Sequence, residues 1–274
     1  MEPRIVEGMP FADYVADPSL NFSSLKWMDD CPATFKSMFV DPEDAEERLP
    51  STDEQAFGRA WHHYVLETKT FSSAFYVTPQ ITRRGAAWDA VLELAGNRQV
   101  LWEHSAEQVF QMARALGQHD IFPAIFKKSK RELSIFWEQE GTPCKARIDI
   151  WNPHLSILCD LKSARSASPK FFLREIFDRQ YDAQLAWYRT ALRAAGVSGQ
   201  INVVIIAQGK VNGYQIMPYE LSEEVLAAGE MENAARLKKY QQCKATDTWP
   251  GYPAVVYKVT LPEKKAREIL GGNV

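Results

Sequence analysis

The sequence predicts an α/β fold: one domain over residues 1–274, with a central mixed β-sheet flanked by helices and a helical section at the N-terminus. Three observations carry this. Between residues 132 and 161, three short apolar runs are separated by tight turns, the pattern of an antiparallel meander. The run Ile201–Ala207 (INVVIIA) is continuously apolar, as a strand buried on both faces is. Upstream of residue 132 the apolar residues recur mainly at helical rather than alternating spacing. The 274 residues are 46% hydrophobic and 24% charged, an ordinary globular composition for one large domain.

Residues 1–22 mix Pro, Asp and short apolar groups and read as a turn-rich lead-in. Ser23 and Ser24 are N-cap types, which starts a helix running to about Asp30. Asp41–Pro50 is acidic and polar, the composition of a loop. Gln55–Thr68 sets Phe57, Trp61, Tyr64 and Val65 at helical spacing, and Trp88–Leu94 and Ser105–Leu116 continue the helical section. The strands of the meander are Glu132–Glu138, Cys144–Trp151 and Leu155–Leu161, turned at Gly141-Thr142-Pro143 and Asn152-Pro153-His154. A single long helix is expected over Pro169–Ala195, with Gly196 near its C-cap. Strands at Ile201–Ala207 and Tyr214–Pro218 and a charged helix at Glu220–Gln242 complete the reading.

Several function classes fall away. No run of 18 apolar residues marks a membrane span, and the N-terminal residues lack the basic and apolar regions of a secretory leader. Cys31, Cys144, Cys159 and Cys243 are far apart with no CxxC pair. That spacing argues against zinc or an iron–sulfur cluster, and against an iron–sulfur nuclease with it; it suits reduced cysteines in a cytoplasmic protein. The net charge of −3 is not that of a protein that coats DNA passively, but metal-binding carboxylates in a DNA enzyme contribute such charge.

The chemistry concentrates between residues 145 and 162. Asp149 lies among Ile148 and Ile150, Asp160 at the end of the next apolar strand, and Lys162 two residues on. Residues two apart on a strand share a face, so Asp160 and Lys162 point together with Leu161 toward the core, and the turn at 152–154 brings Asp149 alongside. Carboxylates converging on an apolar sheet need neutralising, which a hard divalent cation such as Mg²⁺, or Mn²⁺ in its place, does. A lysine beside it can orient or deprotonate the attacking water, or stabilise charge on a phosphate. His62 or His63, in Gly58-Arg59-Ala60-Trp61-His62-His63, offers a nitrogen ligand. Gln180, Gln184 and Tyr188 are spaced to share one helical face toward DNA. Glu132 can accept hydrogen bonds from a metal ligand or water, and Lys145 and Arg147 approach phosphate or balance the carboxylates. Arg83, Arg84, Lys26 and Lys36 are candidates for contacting a 5′ phosphate.

Taken in order, Gly58-Arg59-Ala60-Trp61-His62, Val65-Leu66-Glu67, Glu132-Leu133-Ser134-Ile135-Phe136-Trp137, Lys145-Ala146-Arg147-Ile148-Asp149, Asp160-Leu161-Lys162 and Gln184-Leu185-Ala186-Trp187-Tyr188 resemble the RecE, or exonuclease VIII, nucleases of the PD-(D/E)XK superfamily. The similarity spans about residues 14–257 and includes Trp249-Pro250-Gly251-Tyr252. It implies a single PD-(D/E)XK nuclease domain. His62, Asp149, Asp160 and the Leu161 carbonyl become metal ligands, Lys162 assists the nucleophilic water, and Gln184 and Tyr188 fill a Q-x3-Y motif. It further implies Mg²⁺-dependent digestion of linear double-stranded DNA from 5′ ends, 3′ tails handed to a RecT-like annealing protein, a phage or prophage setting, and a homo-oligomer shaped as a tetrameric ring. A related endonuclease, or an inactive module that binds DNA ends or a partner, are the alternative readings.

Overall fold

The computed structural model describes residues 2–41, 52–211 and 213–270. The acidic loop expected at Asp41–Pro50 therefore lies, past Asp41, outside the described residues. The chain starts with strand β1 (Arg4–Val6) and helix α1 (Phe11–Ala16), where the sequence suggested only a turn-rich lead-in. Three one-turn helices follow: α2 (Phe22–Leu25), α3 (Trp27–Asp30) and α4 (Pro32–Phe35). Asn21, not Ser23, caps α2, its side chain accepting the Ser24 N–H at 2.8 Å.

The helical section continues with α5 (Asp53–Leu66), α6 (Phe71–Ala74), α7 (Ala86–Ala95), α8 (Glu103–Gly117) and α9 (Phe122–Phe126). Thr52 and Gln55 form a reciprocal capping box that fixes where α5 starts. Between these helices sit β2 (Phe75–Thr78) and β3 (Gln99–Trp102), a two-stranded parallel sheet absent from the sequence reading. Each is only four residues long, too short for a periodic signal.

The main sheet comprises β1, β4 (Lys130–Gln139), β5 (Thr142–Asn152), β6 (Ile157–Ala164), β7 (Asn202–Gly209) and β8 (Ile216–Leu221), in the order β1-β4-β5-β6-β7-β8. Its pairings are antiparallel except β6–β7, which is parallel, so the mixed sheet expected from the sequence is present. A parallel neighbour requires a crossover, supplied by α10 (Pro169–Asp178) and α11 (Tyr181–Ala194). The long helix expected over Pro169–Ala195 is thus two helices. Gln180, at φ +58°, occupies the left-handed region between them, and no Pro or Gly marks the break.

The third strand begins two residues later than expected, because Ser156 turns the chain at φ +52°, and it continues to Ala164, placing Asp160 and Lys162 in mid-strand. β8 and the last long helix, α12 (Glu223–Thr246), are shifted likewise, with Ser222 capping α12. A short helix, α13 (Glu263–Leu270), ends the described chain. Among the described residues no helix is long and apolar enough to cross a membrane.

Two cores lie against the sheet. One joins Leu133, Ile135, Ile148 and Leu158 to Leu185, Trp187 and Leu226 from α11 and α12. The other joins Leu161 and Ile206 to Trp61, Val109 and Met112 from α5 and α8. At about 25 cal/mol per Å² of apolar surface buried, such cores fix α5 and α11 firmly against the strands they meet.

Candidate active site

The β5–β6 ladder runs through Asn152↔Ile157 and Trp151↔Leu158 and stops at Ile150↔Cys159. Past that pair β5 continues on β4 while β6 continues on β7, so the sheet forks. Asp149 and Asp160 are the next residue on each prong. An Asp149 carboxylate oxygen accepts the Leu161 N–H at 2.9 Å, standing where a strand partner would have been. On the other side of β5, Arg131↔Ile150 and Leu133↔Ile148 are paired but Glu132↔Asp149 between them is not, and Glu132 sits at φ +50°. That unusual conformation frees the Glu132 carboxylate from the pleat, a strain of the kind that collects at functional sites. Three adjacent strands thereby carry one carboxylate each at one level of the sheet.

His62 reaches this row from α5. Its Nε2 lies 2.8 Å from Asp149 Oδ2 and its Nδ1 3.4 Å from Glu132 Oε1. His63, one residue on, turns away to Thr70 Oγ1 at 3.0 Å and packs edge-on to Phe75. On the far side of the fork, Lys162 Nζ is 2.6 Å from Asp160 Oδ2, donates to Gln184 Oε1 at 3.0 Å and lies 4.6 Å from the centre of the Tyr181 ring. Gln184 donates in turn to the Tyr188 hydroxyl at 2.9 Å. Gln180 is not on this face. It precedes the first turn of α11, so the expected three-residue stripe is a pair.

The protonation states follow from this crowding. Burial would push His62 down, but Asp149, Glu132 and Asp160 outweigh it and raise the imidazole to about 9. Burial, opposed by Lys162 and assisted by Asp149, lifts the Asp160 carboxyl to about 6. Burial also raises Glu132, whereas Asp149, although buried, is held low by His62 and Lys162. Burial disfavours charged Lys162, yet Asp160 and Asp149 raise it, so the ammonium persists.

The residues fit a divalent cation. Ligand atoms of His62, Glu132 and Asp149 all lie within 4.8 Å of one another, one nitrogen and two oxygens. Asp160 is 1% exposed, and its Oδ1 has no hydrogen-bond partner. A buried carboxylate oxygen left that way is costly unless a cation meets it. The grouping brings in Glu132, which the sequence reading held in reserve, and leaves Asp160 at its edge beside Lys162. The signal for Glu132 was available: Glu140 and Gly141, at φ +49° and +76°, make a tight hairpin turn, and Glu132 and Asp149 are equidistant from it. Leu161 contributes its N–H to Asp149; its side chain enters the core beside α5 and α8.

The other cations are also placed. Lys145 and Arg147 do not face the fork as free charges. Lys145 Nζ caps the carbonyls of Tyr14 and Asp17, and Arg147 pairs closely with Glu132 and lies 3.5 Å from Glu67. Arg83 pairs closely with Asp53, and Lys36 pairs with Asp247 at 3.1 Å. Neither they nor Arg84 line the cleft of about 1090 Å³ that opens over the site, whereas Arg59, Arg165, Arg179 and Lys210 do. Lys26 feels the charges of Lys162 and Arg179. All four cysteines are free and buried.

The central mixed sheet flanked by helices matches the PD-(D/E)XK-like nuclease fold. Residues 21–256 match the family described as "PDDEXK-like domain of unknown function (DUF3799)", and the chain belongs to it. A crystal structure from Eubacterium rectale, described as a "Putative exonuclease", aligns with TM-score 0.64 at 12% identity, covering 97% of this chain and 100% of that one; at that identity the likeness speaks for the fold. The structure of SSO0001 aligns at TM-score 0.32 and 13% identity over 77% of this chain and 84% of its own, too weakly to bear on the fold. No curated protein matches the chain.

Proposed function

We propose that this chain is a metal-dependent exodeoxyribonuclease of the RecE type. It hydrolyses phosphodiester bonds of linear double-stranded DNA from 5′ ends and leaves 3′ single strands. The observation that carries the proposal is the fork itself. Asp149, Asp160, Glu132, His62 and Lys162 converge there from four elements, in a cleft whose lining includes Arg59, Arg165, Arg179 and Lys210. A structural ion-pair network has no reason to leave a buried Asp160 oxygen without a partner.

His62, Asp149 and Glu132, with Asp160 beside them, hold the cation, Mg²⁺ with Mn²⁺ as substitute; the Leu161 carbonyl is kept as a proposed ligand. Bound there, the cation supplies charge stabilisation at the phosphoryl oxygens and at the departing 3′ oxygen. Lys162 stands 2.6 Å from Asp160, where its ammonium can orient the attacking water and offset charge on the phosphate. Gln184 fixes the lysine by accepting a hydrogen bond from its ammonium, and Tyr188 fixes Gln184 by accepting one from its amide. The cleft cations hold the strand by its phosphates. Attack is in line by water, without a covalent enzyme intermediate.

The resemblance supports the remaining proposals: a homo-oligomer, a tetrameric ring, a RecT-like annealing partner for the 3′ tails, and a cytoplasmic phage or prophage recombination role. The test of polarity is a linear duplex labelled on one strand end at a time. Mg²⁺-dependent release of nucleotides from 5′-labelled ends first, with closed circles untouched, is expected. Cleavage of closed circles would instead make the chain an endonuclease.

A further inference from the structure

Beyond the pairing of Arg147 with Glu132, Lys145 and Arg147 both reach to the same place. Lys145 Nζ donates to the Tyr14 carbonyl at 2.6 Å, to that of Asp17 at 2.5 Å and more weakly to that of Val15 at 3.5 Å, closing the C-terminal end of α1. The same ammonium lies 4.7 Å from the centre of the buried Tyr14 ring. Arg147 donates to the Met9 carbonyl at 2.6 Å, just ahead of α1. Past the helix, Leu20 exchanges backbone hydrogen bonds with Pro143 and Lys145. A six-residue helix is thus fastened at both ends by two buried cations of β5.

What this fastening presents is apolar and open on its outer side: the Arg147 guanidinium lies 5.8 Å from the centre of the Phe11 ring and Tyr14 stacks beside it at 6.4 Å, which leaves the rest of the ring to solvent. Phe11 is 61% exposed and Val15 53%, at i and i+4 on one side of α1, while Tyr14 between them packs on Phe136. Phe11 and Val15 line the same cleft as His62, Asp149 and Lys162. An isolated exposed Phe needs no explanation. A pair held rigidly in the wall of a cleft that also carries phosphate-binding cations is different. In a groove for nucleic acid, the cations meet phosphates and an aromatic face meets a base.

We infer that Phe11, backed by Val15, is a base-stacking platform: it takes the face of a nucleobase at or next to the nucleotide being released. The inference rests on the nuclease reading and adds a substrate-positioning residue to it. Stacking is indifferent to base identity, as digestion through any sequence requires, and it would hold an end base out of its pair. Phe11 stands outside the carboxylate row, so its role separates from that of the cation site.

The test uses the full chain and Phe11→Ala and Phe11→Trp variants, with Ca²⁺ in place of Mg²⁺ to slow hydrolysis. Two duplexes are compared, one with 2-aminopurine as the terminal 5′ base and one with an abasic residue there. The expected results are quenching of 2-aminopurine by the wild type, binding weakened about 10-fold in Phe11→Ala, recovery in Phe11→Trp, and no difference among the three proteins on the abasic end. Equal weakening on both ends would show that Phe11 only supports the fold, and unchanged binding would show that it does not touch DNA; either overturns the inference. So would a fall in oligomer mass in Phe11→Ala with DNA binding intact, which would make this face a contact between copies. Wild type that cuts DNA while Phe11→Ala behaves identically defeats this inference alone; wild type that neither binds nor cuts defeats the nuclease reading together with it.

Discussion

Lys162 joins Asp160, Gln184 and the Tyr181 ring within a few ångströms, and each contact favours its charged form or its present orientation. Replacing it by Met removes the ammonium without removing any metal-ligating atom. The expected loss in single-turnover DNA cleavage is about 10²- to 10⁴-fold, with the thermal shift on adding Mn²⁺ retained. Loss of both would place Lys162 in support of the fold instead. His62 gives a pH test whose sign is fixed by its surroundings. The proton that the carboxylates hold on it up to about 9 must leave before a cation can take the same lone pair. Asp160, raised to about 6, acts in the same direction. The stabilisation conferred by Mn²⁺ should therefore grow as pH rises toward 9, read by melting temperature across a pH series. The metal-free chain should run the other way. Its folded-state His62 lies above the ordinary 6.5, so this contribution is full below 6.5 and lost as pH rises through about 9. A Mn²⁺ shift that is flat or falling with pH would remove His62 from the ligand set. At this scale the sequence was informative where periodicity acts: Asp160 and Lys162 share a face because they are two apart. Glu132 was signalled only by the symmetry of its hairpin and not by the left-handed residue in mid-strand, and nothing local announced the backbone carbonyls, over 125 residues away, that Lys145 and Arg147 reach.

The elements that deliver these side chains are held by close packing rather than by propensity. The clearest case is α11 on α12. A Cβ at Gly229 would lie 2.9 Å from Ala183 Cα and 3.0 Å from both Ala186 Cβ and the Asp182 carbonyl, so α12 approaches α11 as closely as it does because residue 229 is glycine. Asn233 adds a hydrogen bond to the Ala183 carbonyl at 2.7 Å. Gly229→Val should force the helices apart and cost about 1–3 kcal/mol, measured by chemical denaturation. Cleavage should fall further than stability alone accounts for, since Gln184 and Tyr188 sit on the displaced helix. Unchanged stability would mean that α12 is loosely docked. Strong apolar patterning made most helices and the main strands readable from the sequence, and their ends were off by a few residues where a single positive-φ residue moved a turn. The α10–α11 break was not readable. Gln180 takes its left-handed conformation where Tyr181 packs on Phe172 and near Lys162, and no residue type marks the break locally.

For the molecule as a whole, the proposed function rests on topology. Strand β6 pairs antiparallel with β5 only as far as Ile150↔Cys159 but stays parallel to β7 along its whole length, so the sheet parts between β5 and β6. It parts where Asp149 and Asp160 stand, and the cleft opens over that point. The α/β class and the mixed sheet could be read from the order of segments; the small parallel sheet and the N-terminal strand could not, being too short to carry a pattern. The most direct test of this account is hydrolysis of a linear duplex by wild type and by Asp160→Asn, each with Mg²⁺, with Mn²⁺ and with EDTA. Asp160→Asn keeps the shape of the side chain while removing its charge. The account predicts cleavage by wild type with either ion, none with EDTA, and cleavage by Asp160→Asn reduced by at least about 10²-fold with both ions. Wild type that leaves the duplex intact with both ions, or Asp160→Asn that cuts as fast as wild type, would contradict it.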